Sequence, residues 1–161
     1  MISLKDYSSY DGLGLASLVA RKEVTPKELA DAALQAIAKL NPKLNSVLQT
    51  LPEMASAEIA AGIPNGPFAG VPFMIKELVL HARNVRSDSG SRLGQGFVPG
   101  ADTELMSRFR RAGLVLVGTT QTPELGYNPT TETVLFGPVH NPWDLNRSAG
   151  GSSGGSAASV A

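Results

Sequence analysis

The stretch from Asp102 to Thr120 does most to limit the folds open to this chain. Asp102 is placed to cap a helix whose inward side is Leu105, Met106, Phe109 and Ala112, and Gly113 suits a left-handed stop. Leu114-Val115-Leu116-Val117 follows at once, apolar at every position, as in a strand of a sheet covered on both faces. Gly118-Thr119-Thr120 is expected to leave that strand as a loop, where α/β proteins usually place their chemistry. This helix–strand unit argues for an α/β fold.

The first third reads as helical. Asp11 caps a short helix with Leu15, Leu18 and Val19 on its apolar side. Thr25-Pro26-Lys27-Glu28 is a stronger start, because Thr25 and Glu28 satisfy each other's free amides and Pro26 fills the first helical position. Leu29, Ala33, Leu34, Ile37 and Leu40 then share a face, and Asn41-Pro42 is expected to stop the helix. Ser46 to Leu51 suits a strand, and Pro52 to Ala61 a helix closed by Gly62. A second apolar strand-like run, Gly70 to Ile75, leads into Lys76-Glu77 and Leu78-Val79-Leu80. Asn84 to Pro99 is a surface loop, and Gln121 to Asn146 is loop-like, broken by four prolines.

Composition excludes several kinds of chemistry. There is no cysteine, so disulfides, thiolate nucleophiles and cysteine-based metal sites fall away together. His81 and His140 lie far apart, outside any metal-ligand spacing and without a triad-like Asp or Ser, so they are expected to be structural and no metal site is expected. Lys+Arg 14 balances Asp+Glu 14, leaving no net field for a polyanion or a membrane surface. No apolar run approaches the roughly 20 residues of a spanning helix, and the N-terminus lacks a signal-peptide layout. A cytoplasmic protein is the expectation, with neither nucleic acid nor membrane as partner.

Two segments could carry chemistry. The run Gly150-Gly151-Ser152-Ser153-Gly154-Gly155-Ser156 could be a flexible linker, but it passes straight into the helix-forming Ala157-Ala158-Ser159-Val160-Ala161. A phosphate loop would end in Gly-Lys-Ser/Thr, which is missing. A catalytic loop is the third reading, its glycines allowing close approach and its serines presenting hydroxyls. Lys76 could be a strand charge pointing to solvent. Held among Val71 to Ile75 and Leu78 to Leu80, it could instead be desolvated, with a lowered pKa and a neutral amine able to accept a serine's proton.

The ordered set Gly70-Val71-Pro72-Phe73-Met74-Ile75-Lys76-Glu77, Ala112 to Thr120, Pro123-Glu124, Phe136-Gly137-Pro138, Asn141-Pro142-Trp143-Asp144 and Gly150 to Ser156 resembles the amidase signature family of Ser-cisSer-Lys amidohydrolases. The resemblance implies a mixed β-sheet core covered by helices on both sides. Residues 1–161 would be the N-terminal part of one amidase domain, with 1–62 a mainly helical lead-in and 66–161 the first part of the core. It implies hydrolysis of linear carboxamides through a serine acyl-enzyme without a cofactor. Lys76 would be the general base, Ser152 the bridging serine on a cis peptide, and Ser153 a supporting serine; Gly126, Gly150 and Gly151 would line the substrate site. Glu77 stands where the family usually has Asp. The nucleophilic serine and its oxyanion loop would lie roughly two dozen residues past Ser152, beyond Ala161, so these residues alone are expected to be inactive. The partner is a small-molecule amide, and the resemblance leaves room for a homodimer. Two alternatives are the amidase subunit of a glutamine-dependent tRNA amidotransferase and a non-catalytic domain of the same fold.

Overall fold

The computed structural model describes residues 2–161. In chain order the elements are α1 (Leu4–Tyr7), α2 (Gly12–Ala20), α3 (Pro26–Leu44), β1 (Val47–Thr50), α4 (Pro52–Ala61), β2 (Pro72–Lys76), α5 (Glu104–Arg111) and β3 (Val115–Thr120). A single 3-10 turn (Glu124–Gly126) follows, then β4 (Glu132–Thr133), β5 (Gly137–Pro138), β6 (His140–Asn141), β7 (Asp144–Ser148) and α6 (Gly154–Val160). Strands β1, β3 and β2 form one sheet in that order, and β4–β5 and β6–β7 are two small antiparallel pairs. Every residue of β3 is buried, as its continuous apolar sequence requires. Among the described residues no helix is long and apolar enough to cross a membrane.

The chain divides into two compact units. One holds the residues up to Lys39 with Thr50–Phe73 and Ser107–Val117. Its core is Leu15, Leu18, Leu29 and Val71, with Tyr7, Val19, Phe68 and Leu114 packed against it. Full burial of each large aliphatic side chain contributes about 1.5–3 kcal/mol. The helices bring these residues in with the caps their sequences encode. Asp11 accepts the Gly14 amide at 2.7 Å. Thr25 and Glu28 exchange bonds, the Thr25 amide donating to Glu28 at 2.9 Å and the Glu28 amide to Thr25 Oγ1 at 3.2 Å. These bonds to Thr25 favour the ionised form of the Glu28 carboxyl. Gly113 turns out of α5 at φ +89°, where a Cβ would stand 2.6 Å from Ala69 Cα.

The other unit holds Leu40–Gln49, Met74–Met106 and Gly118–Ala161. Four local expectations are corrected in the structure. The helix does not stop at Asn41-Pro42 but runs to Leu44. In this last turn Pro42 forfeits only its own amide bond, while the Asn41 side chain secures the exit. Its Oδ1 accepts the Ser46 and Val47 amides at 2.8 Å and its Nδ2 donates to the Val47 carbonyl at 2.9 Å. Gly118, Thr119 and Thr120 stay in β3 rather than leaving it as a loop. Gly118 keeps its place because a Cβ would meet the Gln49 carbonyl oxygen at 2.6 Å. Thr103, not Asp102, offers its side chain to the first turn of α5, accepting the Met106 amide at 3.3 Å, while Asp102 accepts the Arg83 amide at 2.7 Å. Finally, Leu40 and Leu105 are not inward; each stands about half exposed (49% and 50%).

Candidate active site

The end of β2 and the glycine-rich turn before α6 converge within the second unit. Lys76, the last residue of β2, donates from Nζ to Ser152 Oγ at 2.8 Å across 76 positions of sequence. Burial pushes the Lys76 pKa down from the ordinary lysine value, and no neighbouring acid is among the causes. The Gly151–Ser152 peptide is cis. A lysine biased toward its neutral form and in direct contact with a serine hydroxyl can take that hydroxyl's proton and return it.

The turn carrying Ser152 is held from beneath by Thr131, which is fully buried. Thr131 Oγ1 donates to the Gly150 carbonyl at 2.8 Å and accepts the Gly154 amide at 3.0 Å, and its own amide bonds the same Gly150 carbonyl at 2.9 Å. The glycines make this approach possible: a Cβ at Gly154 would lie 2.4 Å from Thr131 Oγ1, and one at Gly155 would lie 2.3 Å from the Gln121 backbone nitrogen. Thr122 Oγ1 donates to the Ser152 carbonyl at 3.3 Å, and Thr120 and Ser156 share a hydroxyl bond at 2.7 Å. The polar end of β3 thus becomes the floor of the turn.

Thr131→Val keeps the shape of the side chain and removes both hydroxyl bonds, leaving the buried Gly154 amide without a partner. A loss of about 2–3 kcal/mol of stability is expected, read from the urea midpoint.

The remaining candidates are placed differently. Ser153 starts α6 without a side-chain bond to the helix amides, and its carbonyl accepts the Ala157 amide at 2.9 Å. Gly126 closes the 3-10 turn at φ +73°, against Leu78, beside a cavity of about 440 Å³ lined by its neighbours Glu124, Leu125, Tyr127 and Asn128. Gly150 serves the turn through its carbonyl, and Gly151 packs near Thr131. Both histidines are tied to the framework: His81 meets the Phe97 ring edge-on at 5.5 Å, and His140 Nδ1 lies 2.8 Å from the Leu145 carbonyl. Among the described residues no group of three metal-ligating side chains is clustered. Thr122 and Thr131 are the supporting residues that periodicity does not reveal, since isolated threonines among prolines look like loop.

An α/β sheet that delivers a desolvated lysine to a serine on a glycine-rich turn defines a narrow class of architecture. The family model Amidase matches residues 28–161, and the chain belongs to that family, the amidase signature enzymes. It is 40% identical over 154 residues to the 6-aminohexanoate-cyclic-dimer hydrolase of Paenarthrobacter ureafaciens, covering 94% of this chain and 31% of that protein. It is 39% identical over 165 residues to a Glutamyl-tRNA(Gln) amidotransferase subunit of Salinispora arenicola (strain CNS-205), covering 98% of this chain and 33% of that one. The solved structure of a 6-aminohexanoate cyclic dimer hydrolase superposes with a TM-score of 0.90 at 36% identity, over 100% of this chain and 33% of that one. A bacterial aryl acylamidase of the amidase signature family gives a TM-score of 0.84 at 29% identity, over 91% and 32%. The chain spans about a third of the length of the relatives it matches.

Proposed function

We propose that this chain supplies the base and the bridging serine of a carboxamide hydrolase, and that the attacking serine and oxyanion donors come from sequence after Ala161. The observation that carries the proposal is the 2.8 Å contact between Lys76 Nζ and Ser152 Oγ, with Lys76 pushed by burial toward its neutral form. The neutral amine takes the Ser152 proton while Ser152 takes the proton of the attacking hydroxyl. The new C–O bond gives a tetrahedral intermediate, the C–N bond breaks, and the relay returns a proton to the leaving nitrogen. Water then hydrolyses the acyl ester by the same route. The substrate is a carboxamide, linear or cyclic, since relatives at 40% identity include a cyclic-dimer hydrolase.

Because the base must be neutral, kcat is expected to rise with pH, with a midpoint below the ~10.4 of a free lysine. The test is a pH–kcat profile of the protein carrying the complete amidase domain. A profile flat from pH 6 to 10 would contradict the assignment.

A second reading is an amidotransferase subunit that releases ammonia from glutamine for a partner, favoured by the 39% identity to such subunits. The protein assayed alone separates the two. Turnover of simple amides supports the hydrolase, and turnover of glutamine only, dependent on added partner subunits, supports the amidotransferase.

A further inference from the structure

Glu77 follows Lys76 in the chain, and its side chain is almost wholly enclosed, 2% exposed. Glu77 lies one residue past the end of β2. The Glu77 amide continues the ladder to the Thr120 carbonyl at 3.0 Å. Its Oε1 accepts the Asp88 amide at 2.6 Å. Its Oε2 and the nearby Ser87 Oγ, which line one small cavity, are both buried without a hydrogen-bond partner.

The segment that Glu77 holds is clasped in turn to the residues behind Ser152. The Leu125 amide donates to the Ser89 carbonyl at 2.8 Å, and Ser91 Oγ donates to Glu124 at 2.6 Å. Gly90, at φ +63°, lies so close to the Thr122 carbonyl that a Cβ there would be 2.8 Å from its oxygen. Thr122 is the residue whose hydroxyl reaches the Ser152 carbonyl at 3.3 Å.

We propose that Glu77 is a positioning residue that sets the Lys76–Ser152 geometry by anchoring the 88–91 segment against Thr122 and the 124–126 turn. The inference rests on the assignment of Lys76 and Ser152 to proton transfer. Burial, not Glu77, depresses Lys76, so the anchor acts through geometry rather than through charge on the base.

The experiment compares Glu77→Ala, Glu77→Gln and Ser91→Ala with wild type and Lys76→Ala, all in the protein carrying the complete amidase domain. Glu77→Ala is expected to lower kcat about 100-fold, the scale of an ~1 Å misplacement, with KM changed less than threefold and the pH midpoint of kcat unmoved. Glu77→Gln keeps an oxygen to accept the Asp88 amide, so it should restore kcat to within about fivefold of wild type. Ser91→Ala, which cuts the clasp at a distance from Glu77, should show the same kcat-only loss in weaker form. It decides between the outcomes if Glu77→Ala does not fold. Wild-type kcat in both Glu77→Ala and Ser91→Ala, or Glu77→Gln as impaired as Glu77→Ala, would overturn the inference. An inactive Lys76→Ala beside a normal Glu77→Ala overturns the positioning role alone. An active Lys76→Ala overturns the base assignment and the positioning role together.

Discussion

Lys76→Ala, in the protein with its full amidase domain, is expected to lower amide turnover by roughly 10⁴–10⁶-fold, because a base and its relay act as a unit. The loss should not come from unfolding. Burial lowers the Lys76 pKa in the folded state. Below that value the folded protein carries a charge its surroundings disfavour, and the cost is relieved as pH rises from the depressed value to the ordinary ~10.4. Removing the amine, best as Lys76→Met to retain the packed stem, should therefore leave stability at neutral pH unchanged or raised. It should also remove the rise in stability that Lys76 contributes between its depressed pKa and the ordinary lysine value. A variant that is inactive and at least as stable as wild type by urea denaturation separates chemistry from folding.

The largest expected effect on stability comes from Gly155→Ala. Gly155 is buried at the start of α6, and an added Cβ meets backbone on two sides: Gln121 N at 2.3 Å with its carbonyl oxygen at 2.6 Å, and the Ser46 carbonyl oxygen at 2.6 Å. No flexible side chain can yield there. Overpacking of ~3 kcal/mol or more is expected, moving the Ser152 turn away from Lys76 and lowering turnover with stability. A urea midpoint within experimental error of wild type would show that the Gln121–Gly155 contact is looser than the structure has it. By contrast Gly150→Ala meets no atom within 4 Å and is strained only by its φ of +77°, so its cost should be smaller.

Much of the fold can be read from the sequence because its signals are local. The Thr25–Glu28 cap, the Gly113 stop and the apolar run into β3 each depend on residues within a few positions of one another. Local reasoning fails where distant groups decide. Pro42 should end a helix on local grounds, yet the Asn41 side chain captures the Ser46 and Val47 amides and lets the last turn form around it. Gly118-Thr119-Thr120 looks like the start of a loop, but β3 continues through it because the Gln49 backbone approaches Gly118. Lys76 and the serines are legible as reactive types in unusual company. Their support is not: Thr131 and Thr122 sit in a stretch whose sequence suggests only turns, and their hydrogen bonds span 19 to 30 positions. Glu77 is legible only as a neighbour of Lys76; its role as an acceptor for the 88–91 segment follows from burial.

The most direct test of the central claim, that Lys76 and Ser152 transfer protons as one device, is a double-mutant cycle on kcat with Lys76→Ala, Ser152→Ala and the pair. Groups acting as one unit are strongly non-additive. The double variant is predicted to be no more impaired than the worse single variant, within about threefold. If the two losses multiply instead, Lys76 and Ser152 contribute independently, and their 2.8 Å contact is not the proton path.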